Sequence, residues 1–538
     1  MVSKTRHTDT PLSPADLGAP ESLASWRPGQ EEAFLWASET LSAPGPRHVA
    51  MGVPTGVGKS LLAYLLAVYA TGGRTVVLTS RLGLADQYRA TFPDTVEVRG
   101  RRHYKTRWEY TAALDAAKVG RIVITSYAFW LAVHQFGRGL GDDISLVVMD
   151  EASEEFSELS GHLETVVRPS SLAWFAHVAK RAWGVEFQLA RWCDAPLTDL
   201  LAWGQWAATA GYSMELVRKA ARESKAPDPE KWGREEKEAD EAMMLLSGKL
   251  KYFASSCRSG LPGRKVLGPH AWVIEEAPSY EPGSSVGVKL AAVWPAEHSG
   301  LLFQDAPRTV HMSATLRPAS LDLVGIPRAE YVFREWPHPF PPAHRRVLWI
   351  PTIFAVEARA TERDWQTWVT TIDQVIEAAG EDAKGIIHTV SYKRAQMLLN
   401  LSRNGGRGIF MTHGRRDTAD VVAAFRASDP PRVLVSPAIV SGWDIPEALY
   451  QVIGKLPFSS GQSALEKARK EKNPDLAPYL CAQAIVQTAG RITRGPSYEE
   501  RGTSLILDNS WSWFGPKYRS FFPSWFKVQR ADYVPQQF

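Results

Sequence analysis

The stretch MGVPTGVGKS, residues 51–60, constrains the fold more than any other part of the chain. It begins in the β-branched run HVAMGV and leads into the apolar run LLAYLLAVYA, so it connects a predicted strand to a predicted helix. Glycines at such a junction let backbone N–H groups approach phosphate oxygens, while lysine adds positive charge and serine binds magnesium. The pattern G-x-x-x-x-G-K-[ST] begins at position 53, where this chain has Val53 instead of glycine. The sequence therefore predicts a variant phosphate-binding loop, whose nucleotide-binding residues are Thr55, Gly56, Val57, Gly58, Lys59 and Ser60.

Composition excludes several other classes of protein. The 538 residues are 44% hydrophobic, which is enough for several cores, and a formal charge of +4 does not by itself indicate an anionic partner. The cysteines Cys193, Cys257 and Cys481 form no C-x-x-C pair, which argues against a disulfide framework or a thiolate zinc site. The N-terminus lacks the apolar core of a signal peptide, and no apolar run reaches the length of a membrane span. We expect a cytoplasmic protein with no membrane contact.

Two series of short β-branched runs alternate with helical patterns. The first lies between residues 48 and 151 and the second, which begins at GIIHTV, ends at TSLILD. Such alternation predicts α/β domains with parallel sheets. We expect a disordered segment at 1–25, a first α/β lobe at 26–154 and 269–335, a helical insertion at 155–268, and a second lobe at 336–538. The tryptophans of the insertion are expected mainly in its core rather than stacked on bases; these are Trp174, Trp183, Trp192, Trp203, Trp206 and Trp232.

An acidic pair ends the strand-like run ISLVVMD, which precedes the residues EAS. A phosphate loop needs a carboxylate at the tip of a neighbouring strand, so Asp150 would hold magnesium together with Ser60, and Glu151 would act as general base. An acidic pair alone is also typical of a solvated turn. Its combination with the phosphate loop favours catalysis.

These motifs resemble those of the nucleic-acid helicases of superfamily 2, whose loop A-P-T-G-x-G-K-[ST] also lacks the first glycine. Further segments match in order: RPGQ, with Gln30, resembles the adenine-reading glutamine motif, and LTSRLGLADQY resembles motif Ia. HMSATL resembles motif III, and SPAIVSGWDIP, with Gly442 and Asp444, resembles motif V. The resemblance implies two RecA-like parallel-sheet P-loop NTPase domains that use ATP and Mg²⁺.

The segment QTAGRITRG places Gln487, Arg491 and Arg494 on one side of a predicted helix, at offsets of four and three residues. Guanidinium groups that reach the γ-phosphate across a cleft raise the rate by about 10³- to 10⁵-fold in NTPases. A basic solvated helix face is the alternative. We predict a catalytic role for all three residues at the junction of two lobes.

Three features resemble the DinG/XPD-like group in particular. The interval from Asp150 to Ser313 is long (313 minus 150 is 163 positions), VIGKLPF follows motif V, and the linker reads WPHPFPPAHRR. In that group a helical, arch-like domain lies between motif II, which here is the acidic segment DEAS, and motif III. The resemblance implies such an arch in the insertion, movement in the 5′→3′ direction and a preference for DNA.

The chain departs from that group in the region that usually holds a [4Fe–4S] cluster. VRGRRHYKTRWEY has Thr106 where the first thiolate would stand, and no cysteine precedes Cys193. Threonine and lysine cannot replace thiolate ligands, so we predict no iron–sulfur cluster. The basic residues of this segment, interleaved with Tyr104 and Trp108, either bind nucleic acid or form a solvated loop.

The combined prediction is an ATP-dependent motor, most simply a DNA helicase that works as a monomer on single-stranded DNA or RNA. Polar residues at strand ends would grip the phosphates, with helix capping as their alternative role. These predicted contacts are Thr79, Ser80, Arg81, Thr125, Ser126, Thr389, Ser391 and Ser436. A rival hypothesis is an ATP-gated clamp that serves a larger assembly, such as a replication or repair complex or a phage or type IV CRISPR ribonucleoprotein. A P-loop kinase would leave the segment around Arg491 unexplained.

Overall fold

The structure, a computed structural model, describes residues 13–70, 73–136, 139–141, 143–187, 192–223, 232–257, 272–277, 286–353, 360–414, 417–437, 445, 447–459, 461–492 and 502–536. The strands are β1 (His48–Gly52), β2 (Arg74–Thr79), β3 (Val96–Glu97), β4 (Ile122–Ser126), β5 (Ile144–Asp150), β6 (Thr165–Val167), β7 (Trp272–Ala277), β8 (Gly287–Ala292), β9 (Thr309–Ser313), β10 (Tyr331–Glu335), β11 (Arg345–Ile353), β12 (Lys384–His388), β13 (Phe410–Thr412), β14 (Arg432–Ser436), β15 (Tyr450–Ile453), β16 (Gly502–Asp508) and β17 (Gln529–Arg530).

The α-helices are α1 (Gln30–Ser42), α2 (Lys59–Leu65), α3 (Leu82–Thr91), α4 (Arg107–Val119), α5 (Tyr127–Gln135), α6 (Glu155–Leu163), α7 (Pro169–Val178), α8 (Leu200–Glu223), α9 (Arg234–Cys257), α10 (Gly300–Phe303), α11 (Pro318–Leu323), α12 (Glu362–Ala379), α13 (Tyr392–Leu401), α14 (Thr418–Ala427), α15 (Ala464–Lys472), α16 (Leu476–Ala489) and α17 (Trp511–Lys517).

The strands form two seven-stranded sheets, each the centre of one lobe. The order is β10-β1-β9-β5-β2-β4-β3 in the first sheet and β13-β14-β12-β15-β16-β11-β17 in the second. Every pair is parallel, and strands such as β1 and β2 are buried along their whole length. Continuous apolar runs suit strands that helices cover on both faces, so the predicted α/β fold with two parallel sheets is confirmed.

Strand β11 was not predicted, although it is one of the longest strands of the second sheet. It pairs with β16 on one side and with β17 on the other. Its sequence, RRVLWIPTI, follows the proline-rich linker and contains a proline itself, which obscures the strand pattern.

Between motifs II and III, α8 and α9 pack side by side as an antiparallel pair. The Arg218 Nε atom lies 2.7 Å from Asp240 Oδ1, and the Lys251 Nζ atom lies 2.8 Å from Glu215 Oε1. Trp203 and Trp206 are buried and meet edge to face, with ring centroids 5.4 Å apart. Trp183 and Trp232 are buried as well, so the expectation of core packing is confirmed for these four tryptophans. Trp174 and Trp192 are partly buried and pack against the same core.

A third, antiparallel sheet in the order β6-β8-β7 joins α6 and α7 to the segment that returns toward motif III. Its pairing crosses the predicted boundary between 268 and 269. We did not predict β6, because three residues are too few for a periodic signal.

The described residues 13–25, where the sequence predicted disorder, contain two 3₁₀ turns, Ala15–Leu17 and Glu21–Leu23, and Leu17 is buried in the core of the first lobe. The Tyr64 hydroxyl oxygen lies 3.3 Å from the Gly18 carbonyl oxygen. A few apolar side chains therefore tie down a polar segment. Across the part of the chain described above, no helix has the length and apolar character needed to cross a membrane.

Candidate active site

The predicted phosphate loop lies between the end of β1 and the start of α2. Gly56 and Gly58 both have φ of +90°, a conformation that favours glycine. A Cβ atom on Gly56 would lie 2.7 Å from the Phe340 ring, and one on Gly58 would lie 2.6 Å from Gln30 Nε2. Val53, at the position of the missing glycine, is fully buried, and its N–H donates to the Ser313 carbonyl at 3.1 Å. The variant position therefore attaches the loop to the SAT segment.

Asp150 and Glu151 lie at the carboxyl end of β5, beside the loop. The Asp150 side chain is buried, and its two oxygens accept hydrogen bonds from the Tyr88 hydroxyl at 2.8 Å and the Glu151 N–H at 3.0 Å. Burial, followed by the charge of Glu151, raises the pKa of Asp150 to about 6, although Lys59 opposes that shift. The Lys59 Nζ atom lies 3.5 Å from Glu151 Oε1.

Glu151 has a left-handed backbone, with φ of +55°. This conformation costs a non-glycine residue about 1–3 kcal/mol, and it is found where the surrounding structure requires it. Here it turns the chain sharply after Asp150, so that the two adjacent carboxylates face different partners, Tyr88 and Lys59.

Gln30, predicted to read adenine, binds the loop backbone. Its Nε2 atom donates to the Gly58 carbonyl at 3.1 Å, and its Oε1 atom accepts from the Arg27 N–H at 3.1 Å. The Arg27 guanidinium donates to the Gly56 carbonyl at 3.2 Å. The segment before α1 therefore supports the loop from outside.

The second lobe reaches this site through one face of α16. Tyr479, Gln483 and Gln487 recur every fourth residue and so share that face. Tyr479 and Gln483 both bond to the Ser320 hydroxyl of the first lobe. The Gln487 Nε2 atom donates to Glu154 Oε1 at 2.8 Å and to Ser153 Oγ at 3.3 Å. Gln487 thus lies beside the acidic segment, as its predicted role requires.

The acidic segment of motif II and the SAT segment of motif III contact each other beside α16. The hydroxyls of Ser153 and Ser313 are 2.8 Å apart, so Gln487 bonds to a residue that itself bonds to the SAT segment. Past the end of α16, a Cβ atom on Gly490 would lie 3.7 Å from the Thr55 methyl group of the phosphate loop. Loop, acidic segment and SAT segment are therefore all within contact of the second lobe or of one another.

Of the other ATP-site residues predicted in the second lobe, the structure describes only Arg491. Arg491 is buried, and its charge, after burial itself, helps to lower the pKa of His388 to about 3. Arg491 therefore lies near the end of β12 in its own lobe. Arg494, Gly442 and Asp444 lie outside the described residues.

Aromatic residues that we did not predict lie at the mouth of the site. The interlobe cleft is lined by Trp525 as well as by Thr55, Glu151 and Gln487. The rings of His338 and Trp525 are 4.7 Å apart, and burial followed by the charges of Arg345 and Lys59 lowers the pKa of His338 to about 3. The aromatic residues of the linker WPHPF are apparent in the sequence, but no local sequence pattern indicated that they contact the phosphate loop.

The polar residues predicted to touch nucleic acid are largely engaged within the protein. Thr79, Thr125 and Thr389 are buried, and their hydroxyls donate to backbone carbonyls. The Ser126 and Ser391 hydroxyls cap α5 and α13, which is the alternative role. Ser436 is buried against His413, Ser80 is half-buried, and Arg81 is exposed. Contacts of these residues with nucleic acid stay a prediction.

The segment around Thr106, where the sequence predicts that no cluster ligand is present, starts a helix. The Thr106 hydroxyl accepts from the Glu109 N–H at 3.1 Å, and Glu109 accepts from the Thr106 N–H, which is a complete capping box for α4. Arg99 pairs with Glu97 and Asp86, so part of the basic segment is neutralised. Trp108 is 78% exposed.

The donor set of Ser60 and Asp150 fits magnesium. A hydroxyl and a carboxylate are hard oxygen ligands, and Mg²⁺ usually takes only one or two protein ligands beside phosphates and water. Accordingly, the described residues contain no group of three or more His, Cys, Asp or Glu side chains that could hold a metal by themselves.

Residues 27–171 match the DEAD/DEAH box helicase family. No curated protein sequence matches the chain. Among solved structures, an XPD helicase superposes with a TM-score of 0.62 at 10% identity and covers 94% of this chain and 99% of its own. Xpd4 of S. tokodaii gives 0.58 at 12% identity, with 94% and 100% covered, and an apo XPD structure gives 0.55 at 11%, with 93% and 99% covered. These similarities place both lobes in the fold of XPD helicases.

Proposed function

We propose that this chain, which carries a DEAD/DEAH box helicase domain within the two-lobed fold of XPD helicases, couples ATP hydrolysis to movement along single-stranded DNA. The observation that carries the proposal is the interlobe hydrogen bond from Gln487 to Glu154, close to the general-base candidate Glu151. A hydrolysis site that is completed by a second body makes turnover depend on the relative position of the two bodies. That dependence is what a motor requires.

Hydrolysis would use the charged groups at the end of the first sheet. A triphosphate bound to the loop would compete for Lys59, which lies against Glu151 in the structure, and would leave Glu151 to accept the proton of the attacking water. Ser60 and Asp150 would hold Mg²⁺, which neutralises phosphate charge in reactions of this kind. Gln30 and the loop backbone would hold the nucleotide.

The second lobe would complete the site on closure. Gln487 supports this proposal by its contact with the acidic segment, and Arg491 and Arg494 are proposed as the guanidinium groups that stabilise transition-state charge. Gly442 and Asp444 of motif V are proposed to bind the nucleotide from the same side.

The strand would cross the polar strand ends of both lobes. Hydroxyls and backbone N–H groups hold phosphates without reading bases, which suits movement along any sequence. The preference for DNA and the 5′→3′ direction are proposed from the resemblance to the DinG/XPD-like group.

One experiment tests these points together. ATP turnover is measured with and without single strands, and duplex opening is measured on matched DNA and RNA duplexes with a 5′ or a 3′ tail. We expect strand-stimulated turnover and opening of the 5′-tailed DNA duplex. ATP turnover that no single strand stimulates would contradict the proposed motor function.

A second candidate is an ATP-gated clamp in a larger assembly. The capping box at Thr106 favours it, because this segment forms an ordinary helix start where a cluster-bearing module would begin. Strand-stimulated turnover with no duplex opening would support the clamp. The protein is also proposed to lack an iron–sulfur cluster; purified protein should show no absorption band at about 400 nm, and bound iron with sulfide would contradict this.

A further inference from the structure

A buried tyrosine bonds to the aspartate assigned to magnesium. Tyr88 lies on α3, and its hydroxyl donates to Asp150 Oδ2 at 2.8 Å. The Ser60 side chain lies close enough to act on the same group, where it opposes the rise that burial causes in the pKa of Tyr88. Tyr88 of α3 and Asp150 of β5 therefore meet beside Ser60 at the start of α2.

The position of this hydroxyl is fixed by packing. Tyr88 is 1% exposed and lies with its ring centroid 5.9 Å from that of Phe92. Phe92 in turn stacks on Tyr64, with centroids 4.1 Å apart and the planes within 9°. A ring held by this buried aromatic cluster cannot swing to another rotamer without disturbing its neighbours.

The hydroxyl also determines which lone pairs of Asp150 remain available. An ionised carboxylate offers about four acceptor sites. The Tyr88 hydroxyl occupies one on Oδ2, and the Glu151 N–H occupies one on Oδ1. Both oxygens are therefore anchored, and the remaining sites have one defined orientation. Groups that bond to a metal ligand in this way commonly set its geometry and affinity.

We propose that Tyr88 is a positioning residue for the magnesium ion of this ATPase site, holding the Asp150 carboxylate in the orientation that the ion requires. The inference rests on the proposed ATPase function. The Asp150 carboxylate and the Ser60 hydroxyl are hard oxygen donors of the kind that Mg²⁺ prefers. Tyr88 itself contacts no substrate in this assignment, because its hydroxyl is directed at Asp150.

The test measures metal affinity without hydrolysis. Mn²⁺ replaces Mg²⁺ as a spectroscopic probe, and its binding to full-length protein with ADP is followed by electron paramagnetic resonance, with no nucleic acid present. Tyr88→Phe removes only the hydroxyl, and we expect Mn²⁺ to bind about 10-fold more weakly. ADP affinity in the presence of EDTA should stay unchanged, since Tyr88 does not contact the loop backbone that holds the phosphates.

Tyr64→Phe is the matched control. It removes a hydroxyl from the same aromatic cluster, but that hydroxyl donates to Asp94 Oδ2 at 3.0 Å rather than to Asp150. We expect its Mn²⁺ affinity to match that of the wild type. Tyr88→Met, whose flexible side chain can fill the space of the ring, is a second hydroxyl-free variant and should weaken Mn²⁺ binding as Tyr88→Phe does.

A turnover assay gives an independent reading. In Tyr88→Phe the Mg²⁺ concentration for half-maximal turnover should rise by the same factor, and excess Mg²⁺ should restore most of kcat. Wild-type Mn²⁺ affinity in both Tyr88 variants, or an equal loss in Tyr64→Phe, would overturn the inference and leave the proposed function standing. A wild-type protein that binds neither ADP nor Mn²⁺–ADP would overturn both.

Discussion

The carboxyl ends of the two sheets differ in charge. In the first lobe this edge carries Lys59, Asp150 and Glu151, whose charges face one another within a few ångströms. In the second lobe the corresponding edge carries a closed ion pair, with Lys455 Nζ 3.4 Å from the buried Asp508 carboxylate at the end of β16. Beside it, burial and then the charge of Arg491 lower the pKa of His388 to about 3, and the His413 ring bonds to the Ser436 hydroxyl at 3.0 Å. The two lobes share a sheet topology but carry different chemistry at the same edge.

The difference separates two tasks. Opposed charges in a buried setting are costly unless something else, such as a nucleotide with its metal, exchanges partners with them. At the second edge the buried Asp508 carboxylate has Lys455 of its own lobe as its partner, so this pair is closed without a ligand. The second lobe meets the first through the face of α16 that carries Gln487, so its proposed share in hydrolysis depends on where that helix lies.

The largest expected effect comes from variants of the charged residues at the carboxyl edge of the first sheet. Lys59→Ala and Glu151→Gln should each reduce ATP turnover by more than about 1,000-fold, since one removes the proposed compensation of phosphate charge and the other the proposed general base. Only Glu151→Gln should still bind ATP tightly, because its carboxamide no longer pairs with Lys59 but leaves the loop intact. Filter binding of ATP beside a turnover assay distinguishes the two variants. Equal loss of ATP binding in both would remove the separate roles.

A smaller effect is expected at the interlobe contact. Gln487→Ala removes the donors to Glu154 and Ser153, so strand-stimulated turnover should fall by about 10-fold while ATP affinity changes little. Stopped-flow turnover with and without single strands measures this. Gln396→Ala is the control, because that exposed glutamine of the same lobe bonds only to Asn400 among the described contacts. An equal loss of strand-stimulated turnover in Gln396→Ala would show that the interlobe contact of Gln487 has no specific role.

The same contrast marks what sequence patterns can predict. Most strands of the two sheets, the loop at Lys59 and the acidic pair at Asp150 follow from local periodicity and from residues adjacent in the chain. The roles proposed for these residues follow from the chemistry of their side chains. Their bond partners do not: Tyr88 lies 62 positions from Asp150, and its contact depends on how α3 packs against β5.

Other parts were missed for a similar reason. Phe340 and Trp525 reach the phosphate loop and the cleft only after the chain has passed through the linker or the whole second lobe. Strand β6 is recognisable only by its pairing with β8, which is more than 100 positions further along the chain. Long-range tertiary packing, rather than propensity, decides these features.

Glu158 of the first lobe should make the stability of the protein depend on pH. Burial, followed by the charge of Glu154, raises the pKa of Glu158 in the first lobe to about 7. The folded protein thus binds this proton more tightly than the unfolded chain does, so the stabilisation is complete below about pH 4.5 and is lost as the pH rises through about 7. With an allowance for solvent screening of this half-buried group, the loss is about 1–2 kcal/mol.

Glu158→Gln should remove that dependence. The free energy of unfolding of the variant minus that of the wild type should be about 1 kcal/mol larger at about pH 8 than at about pH 4.5, as measured by denaturant titration. Glu39→Gln, an exposed change on α1, controls for the loss of one charge. A difference that does not vary with pH would show that Glu158 titrates normally.

The smallest effect distinguishes helix capping from nucleic-acid contact at one serine beside a strand end in each lobe. The Ser126 hydroxyl accepts from the Phe129 N–H at 3.2 Å, and the Ser391 hydroxyl accepts from the Arg394 N–H at 3.2 Å. Replacement by alanine should cost about 1 kcal/mol of stability at either site. Aspartate caps a helix as well as serine does, so Ser126→Asp and Ser391→Asp should stay stable while their charge repels a nearby phosphate.

Fluorescence anisotropy with a labelled single strand therefore separates the two roles. If the strand crosses both edges, each aspartate variant should bind it several-fold more weakly at low salt, and added salt should reduce the difference. Ser463→Asp is the control, since Ser463 caps α15, whose Leu465 N–H bonds to Glu275 of β7 in the third sheet. Weakening in Ser126→Asp alone would confine the nucleic-acid strand to the first lobe. Wild-type affinity in both variants would leave these serines as caps only, because a phosphate within contact distance is repelled by a new carboxylate.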